Sequence, residues 1–306
     1  MIPQMYQAQR LSRSDYVPLR NLNYHVRVWG TPAPDKTPLV LLHGWMDVAA
    51  SYQFVVDALH HDHYIIAPDW RGFGLTATTE ADNFWFPDYL ADLDFLLDHY
   101  VPDGPIHLVG HSMGGNVAML YAGIRPERIR RLVNLEGFGM PATRPSQAAG
   151  RYASWMDSLK KLHQGEMDLK AYDSVDGVAQ RLMKTNARLS ADKAHWLARH
   201  WAQETVQGQW RILGQAAHKM PHAMLYRLDE VQALYGAITA PTLMVEAADD
   251  SLGLWFKGKF TLEEHHERVK VVAQLKTVQV ADAGHMVHHD QPQLVANLID
   301  EFLLTP

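Results

Sequence analysis

The sequence predicts an α/β protein: a mostly parallel central sheet with helices on both faces, plus a helical cap insertion. Three observations predict it. Short β-prone apolar runs alternate with segments of helical period, the pattern of repeated strand–helix units. Several runs are continuously apolar rather than alternating, as expected of strands covered on both faces. One long stretch, 140–236, interrupts the rhythm: it shows no convincing strand and is rich in Ala, Leu, Lys, Gln and Arg. The predicted division is a core of 1–139 and 237–306 and a cap of 140–236.

The predicted strands are 24–29, 39–42, 64–67, 106–109, 132–135, 242–246 and 277–280. Between them, 86–100 reads as an amphipathic helix. Tyr89, Leu93, Leu96, Leu97 and Tyr100 form its apolar stripe, and Asp88, Asp92 and Asp98 lie off it. A second helix, 291–304, carries Leu294, Leu298 and Phe302 on one face. Turn signals near Gly165, Gly177 and Gly208 divide the cap.

Composition narrows the function classes. Of 306 residues, 47% are hydrophobic and 20% charged, the balance of a soluble globular chain. The net charge of −6 offers no pull toward nucleic acid. No apolar run approaches the roughly 20 residues of a membrane helix. The N-terminal stretch has no apolar core of a secretory signal, and cysteine is absent, so the expected location is cytoplasmic. The oligomeric state, monomer or homodimer, is left open.

The chemistry starts at Gly110-His111-Ser112-Met113-Gly114. Gly-x-Ser-x-Gly between a strand and a helix is the pattern of a nucleophile elbow. A Cβ at Gly110 or Gly114 would collide with the neighbouring strand or helix, and the helix beginning at Met113 aims free N–H groups at developing negative charge. A serine hydroxyl needs a base. His285, in the loop after the last predicted strand, fills that role; His288 and His289 are read as surface or supporting residues. The acid is read first as Asp250, in the acidic loop after 242–246 beside Asp249. Glu136, which ends 132–135, is the alternative. The oxyanion donors are the amides of Met113 and Trp45, with Gly44 letting the chain bend toward the site. His43 is expected to anchor that loop at the pocket's edge. Trp70, Phe138, Met140 and Trp155 are expected as pocket walls for a small to medium hydrophobic or aromatic ester. Arg71 reads as a structural ion pair. His60, His61 and His63 look like a metal cluster but lie at the opposite sheet edge, and His265 and His266 read as solvated. The reaction needs no metal or organic cofactor.

In order, "LLHGW", "DWRGFG", "GHSMGG", "APTLMVEAADD" and "GHMVHHDQP" resemble the landmarks of the α/β-hydrolase fold superfamily over nearly the whole chain. "HGWMD" and "QRLMKTNARLS" resemble its serine hydrolase-like, carboxylesterase-type group. The resemblance implies an ester hydrolase with a small-molecule substrate. Lactonase, carbon–carbon-bond hydrolase, cofactor-free perhydrolase and a non-turnover receptor are alternatives with the same residues. Ser112 stands where haloalkane dehalogenases and epoxide hydrolases of this fold carry Asp. "VEAADD" lacks the turn glycine of many relatives, which keeps Glu136 in view.

Overall fold

The computed structural model describes residues 5–76 and 81–304; the first four residues of the stretch read for a leader lie outside them. In chain order the first part of the core is β1 (Arg13–Leu19), β2 (Leu22–Trp29), β3 (Leu39–Leu42), α1 (Gln53–Ala58), β4 (Ile65–Pro68), α2 (Pro87–Tyr100), β5 (Ile106–His111), α3 (Met113–Ile124) and β6 (Ile129–Leu135). An inserted unit follows: α4 (Ala148–His163), β7 (Ala171–Tyr172), α5 (Val175–Thr185), α6 (Ala191–Trp201), β8 (Ala202–Glu204) and β9 (Trp210–Ile212). The chain then returns through α7 (Leu228–Gly236), β10 (Thr242–Ala247), α8 (Ser251–Phe256), α9 (Leu262–Val269), β11 (Leu275–Val280), α10 (Val287–Asp290) and α11 (Pro292–Leu304).

Eight strands form the central sheet in the order β1-β2-β4-β3-β5-β6-β10-β11. Pairing from β4 to β11 is parallel, and β1 and β2 add an antiparallel edge. The continuous apolar runs have the expected cause. Along β3, Val40 and Leu42 join the core on one face and Leu39 and Leu41 the core on the other. Leu108 and Val109 of β5 divide the same way. Side chains alternate across a strand, so a sheet buried on both faces needs apolar residues at every position. Each such Leu or Val contributes about 1.5–3 kcal/mol on burial.

Three expectations change. β1 was not predicted as a strand: Arg13, Asp15 and Pro18 dilute its alternation, and only Val17 and Leu19 are buried. Asp92 lies off the apolar stripe of α2 yet is buried. The Arg71 guanidinium grips its two oxygens at 2.5 and 2.6 Å, and Tyr24 and Arg20 also donate to it. The inserted unit is not purely helical, since β7, β9 and β8 form a small antiparallel sheet. Its end also moves. Val231 and Tyr235 of α7 belong to the main core, and a Cβ on Gly123 of α3 would lie 2.1 Å from the Leu234 carbonyl oxygen. By packing, then, α7 is a core helix, not part of the cap.

Candidate active site

Parallel strands bring their C-terminal ends to one rim, where ligands bind in open α/β sheets. β5 ends at His111, and Ser112 follows with φ of 53° and ψ of −115°, a strained conformation for a residue with a side chain, costing about 1–3 kcal/mol. The turn is held by Ser112 N–H donating to Leu135 O at 2.9 Å and Asn116 N–H donating to Ser112 O at 3.0 Å. It is also held sterically. A Cβ at Gly110 would sit 2.2 Å from Gly114 O, and one at Gly114 would sit 2.2 Å from Leu42 O. Serine at a helix start ordinarily caps it. Here Ser112 makes no capping bond, so its hydroxyl and the first amides of α3 stay available to a ligand. The loop after β3 lies against this point: a Cβ at Gly44 would come within 3.2 Å of Ser112 Cβ. Trp45 follows it on the wall of the site.

β11 leads into the loop that carries His285. That loop is pinned by Asp249 N–H donating to Ala283 O and by Gly284 N–H donating to Asp290 Oδ2. His111 Nε2 donates to the His285 carbonyl at 2.7 Å, and the Trp255 ring meets the His285 imidazole edge-on at 4.0 Å between centroids. His285 Nδ1 donates to Glu136 Oε2 at 3.3 Å. That bond leaves Nε2 as the ring nitrogen free to accept a proton.

The structure therefore pairs His285 with Glu136 and not with Asp250. Asp250 turns away: its carboxylate caps α8 by accepting from Gly253 N–H at 2.8 Å. Neighbouring Asp249 pairs with Arg188 at 2.7 Å. Glu136 occupies the end of β6 with φ of 56°. Its carboxylate is buried and accepts from Ala247 N–H at 2.6 Å and from Ser251 Oγ at 2.9 Å. Burial pushes its pKa up to about 7 against these donors, and burial lowers that of His285 to about 3.

Ser112 and His285 share a cavity of about 1310 Å³ with Trp45, Trp201 and Trp255. Asp168, Lys170, Asp176, Arg181, Lys184 and Arg188 bring charge to the side lined by the inserted unit. The predicted wall residues lie elsewhere. His43 and Trp70 are fully buried beneath the site. Trp70 N–H donates to His43 Nε2 at 2.9 Å, so His43 Nδ1 carries the proton it donates to Gly44 O at 2.7 Å. Burial holds His43 neutral, lowering its pKa to about 4. Phe138 packs with Leu252 and Phe260. Met140 is exposed, and Trp155 donates its indole N–H to Asn83. Aromatic residues that cluster in the sequence near loops were expected as walls. Here most are simply large apolar groups drawn into packing. Trp255 and Trp201, which do line the cavity, were not singled out. The one hint was the apolar "SLGLWF" directly after the acidic loop.

The remaining histidines also sort themselves. His60 and His63 tie to Asn297 and Asp300 of α11. His265 is buried against Phe138 O, so it is not solvated, while His266 stays partly exposed and pairs with Glu246. His288 and His289 are buried as well, not at the surface.

Residues 37–292 match the protein family described as alpha/beta hydrolase fold. Over 292 residues the chain is 26% identical to a serine hydrolase-like protein of Danio rerio, covering 90% of this chain and 84% of that one. Over 141 residues it is 31% identical to 2-hydroxy-6-oxo-2,4-heptadienoate hydrolase of Pseudomonas putida, covering 44% and 49%. Among solved structures, a thioesterase domain from the curacin biosynthetic pathway superposes with a TM-score of 0.81 at 23% identity, over 94% of this chain and 99% of that domain.

Proposed function

The chain belongs to the alpha/beta hydrolase fold family, and from that premise we propose a serine hydrolase that cleaves a carboxylic ester through an acyl-enzyme. Ser112 is the nucleophile, His285 the base and Glu136 the acid. The reading rests on one observation: a serine in a strained turn, its hydroxyl spared from capping, opens on the same cavity as an imidazole whose far nitrogen is held by a buried carboxylate.

In this reading Ser112 Oγ attacks the ester carbonyl while His285 Nε2 takes its proton. The oxyanion is held by the Met113 and Trp45 amides, each contributing about 3 kcal/mol to the barrier reduction. Glu136 fixes the imidazole tautomer and stabilises the imidazolium. His285 then protonates the leaving alcohol, and water repeats the sequence on the acyl-enzyme. The cavity exceeds the roughly 300–1,000 Å³ of ordinary ligand pockets, and its far side is charged. A bulky ester with an apolar part near Trp255 and a polar part against the charged side suits it better than the small to medium hydrophobic or aromatic ester expected from the sequence. The likeness to 2-hydroxy-6-oxo-2,4-heptadienoate hydrolase of Pseudomonas putida supports carbon–carbon-bond hydrolysis as the second reading.

A fluorophosphonate should label the wild-type chain at Ser112 and leave Ser112→Ala unlabelled. Label on the alanine variant, or none on the wild type, overturns the assignment. Esters graded by size, run beside carbon–carbon substrates, separate the two reactions.

A further inference from the structure

Asp47, in the loop after β3, and His288 and His289, both on α10, converge beside the candidate active site. Each offers one ligand atom, and the three atoms lie within 4.8 Å of one another. All three residues are buried. His288 Nε2 lies 3.9 Å from Asp47 Oδ2, and Ser51 Oγ lies 3.1 Å from His288 Nε2 and 2.5 Å from His289 Nε2. The protein alone does not satisfy this cluster. Asp47 Oδ2 and His288 Nδ1 have no hydrogen-bond partner. A hydroxyl has one proton, so Ser51 cannot donate to both imidazoles and to the Asp47 carboxylate it also bonds. A buried carboxylate oxygen without a donor is costly, and such groups call for an explanation.

We propose that Asp47, His288 and His289 form a binding site for a divalent transition cation of the zinc class. Two imidazole nitrogens and one carboxylate suit a borderline cation. The unpartnered Asp47 oxygen gains the positive charge it lacks. Asp47 and His289 also line the large cavity, which gives the ion a way in. A cation on His288 Nε2 leaves the proton on Nδ1. The neighbouring ring, 4.2 Å away between centroids, is His111. His111 donates through Nε2 to the His285 carbonyl. The site lies outside the proposed hydrolysis and does not depend on it.

The test uses the full chain stripped by a chelator, then titrated with Zn²⁺ by calorimetry and with Co²⁺ by visible absorption. One equivalent per chain is expected, with the intense cobalt bands of a four- or five-coordinate site that Zn²⁺ abolishes. His289→Gln and Asp47→Asn should each weaken binding by at least about 10–100-fold, and Ser112→Ala should leave it unchanged. Absence of a stoichiometric site in the wild type, or affinity retained in both ligand variants, overturns the proposal. Should either variant fail to fold by circular dichroism, the wild-type cobalt spectrum decides: only weak six-coordinate bands, or none, reject the site.

Discussion

Glu136 concentrates opposing demands in one side chain. Its carboxylate is buried, which raises its pKa to about 7, yet it accepts from Ala247, Ser251 and His285. An unfolded glutamate titrates near 4.5. Between those two pH values the folded chain holds a proton that the unfolded chain has released. This group's contribution to stability therefore falls as pH rises from about 4.5 to about 7 and stays low above. Glu136→Gln should thus stabilise the fold at pH 8, by at most about 3 kcal/mol, while lowering kcat by about 100-fold or more. The two effects are checked by thermal unfolding and ester turnover on the same sample. The wild-type kcat should fall as pH drops through about 7, because a protonated Glu136 cannot steady an imidazolium. The glutamine variant should lose that limb. Asp250 provides the contrast. Asp250→Asn keeps a good helix cap and should keep full activity, and Asp250→Ala should cost about 1 kcal/mol of stability with kcat unchanged. The sequence held both acids as candidates and ranked them by loop position. The contact of Glu136 with His285 depends on where the two loops place their carboxylates, which no periodicity encodes.

At the scale of elements, legibility followed burial. β3, β4 and β5 were readable because both faces are covered and every position is apolar. The elbow was readable because its two glycines answer to contacts that admit no side chain. β1 was not, since an edge strand tolerates charge and proline. The cap strands were not either, since two or three residues carry no period. Asp92 defied the helical pattern because a charged partner, the Arg71 fork, replaces water around it. The elbow supports a prediction of its own. Strain at Ser112 is carried by φ and ψ and is independent of the hydroxyl, so Ser112→Ala should abolish turnover without relieving it. Ser112→Gly should also abolish turnover but unfold at a higher temperature than the alanine variant, by the equivalent of about 1–2 kcal/mol. Equal midpoints for the two variants would show that the turn is not strained.

Across the whole molecule, the cavity lies between the core rim and the inserted unit, which are joined by a shared apolar cluster and by polar ties. Trp201 donates its indole N–H to Met46 O, Trp45 does so to His218 O, and Gly74 N–H donates to Leu213 O. On the side of His285 the ties are charged: Arg188 forks onto Asp249, and Asn186 donates to Asp290, which also fixes the His285 loop through Gly284. The Arg188–Asp249 pair is largely exposed, and such pairs add little to stability and weaken with salt. Their consequence should therefore appear in substrate handling. Arg188→Ala removes the tie to Asp249 and should leave the unfolding midpoint nearly unchanged. It should raise KM for bulky esters, which must be held under the cap, more than for small ones that reach Ser112 without it. Raising ionic strength should push the wild type toward the variant's KM and leave the variant's own value flat. A uniform rise in KM across the ester series, or equal salt sensitivity in both proteins, would mean that this ion pair has no part in holding substrate.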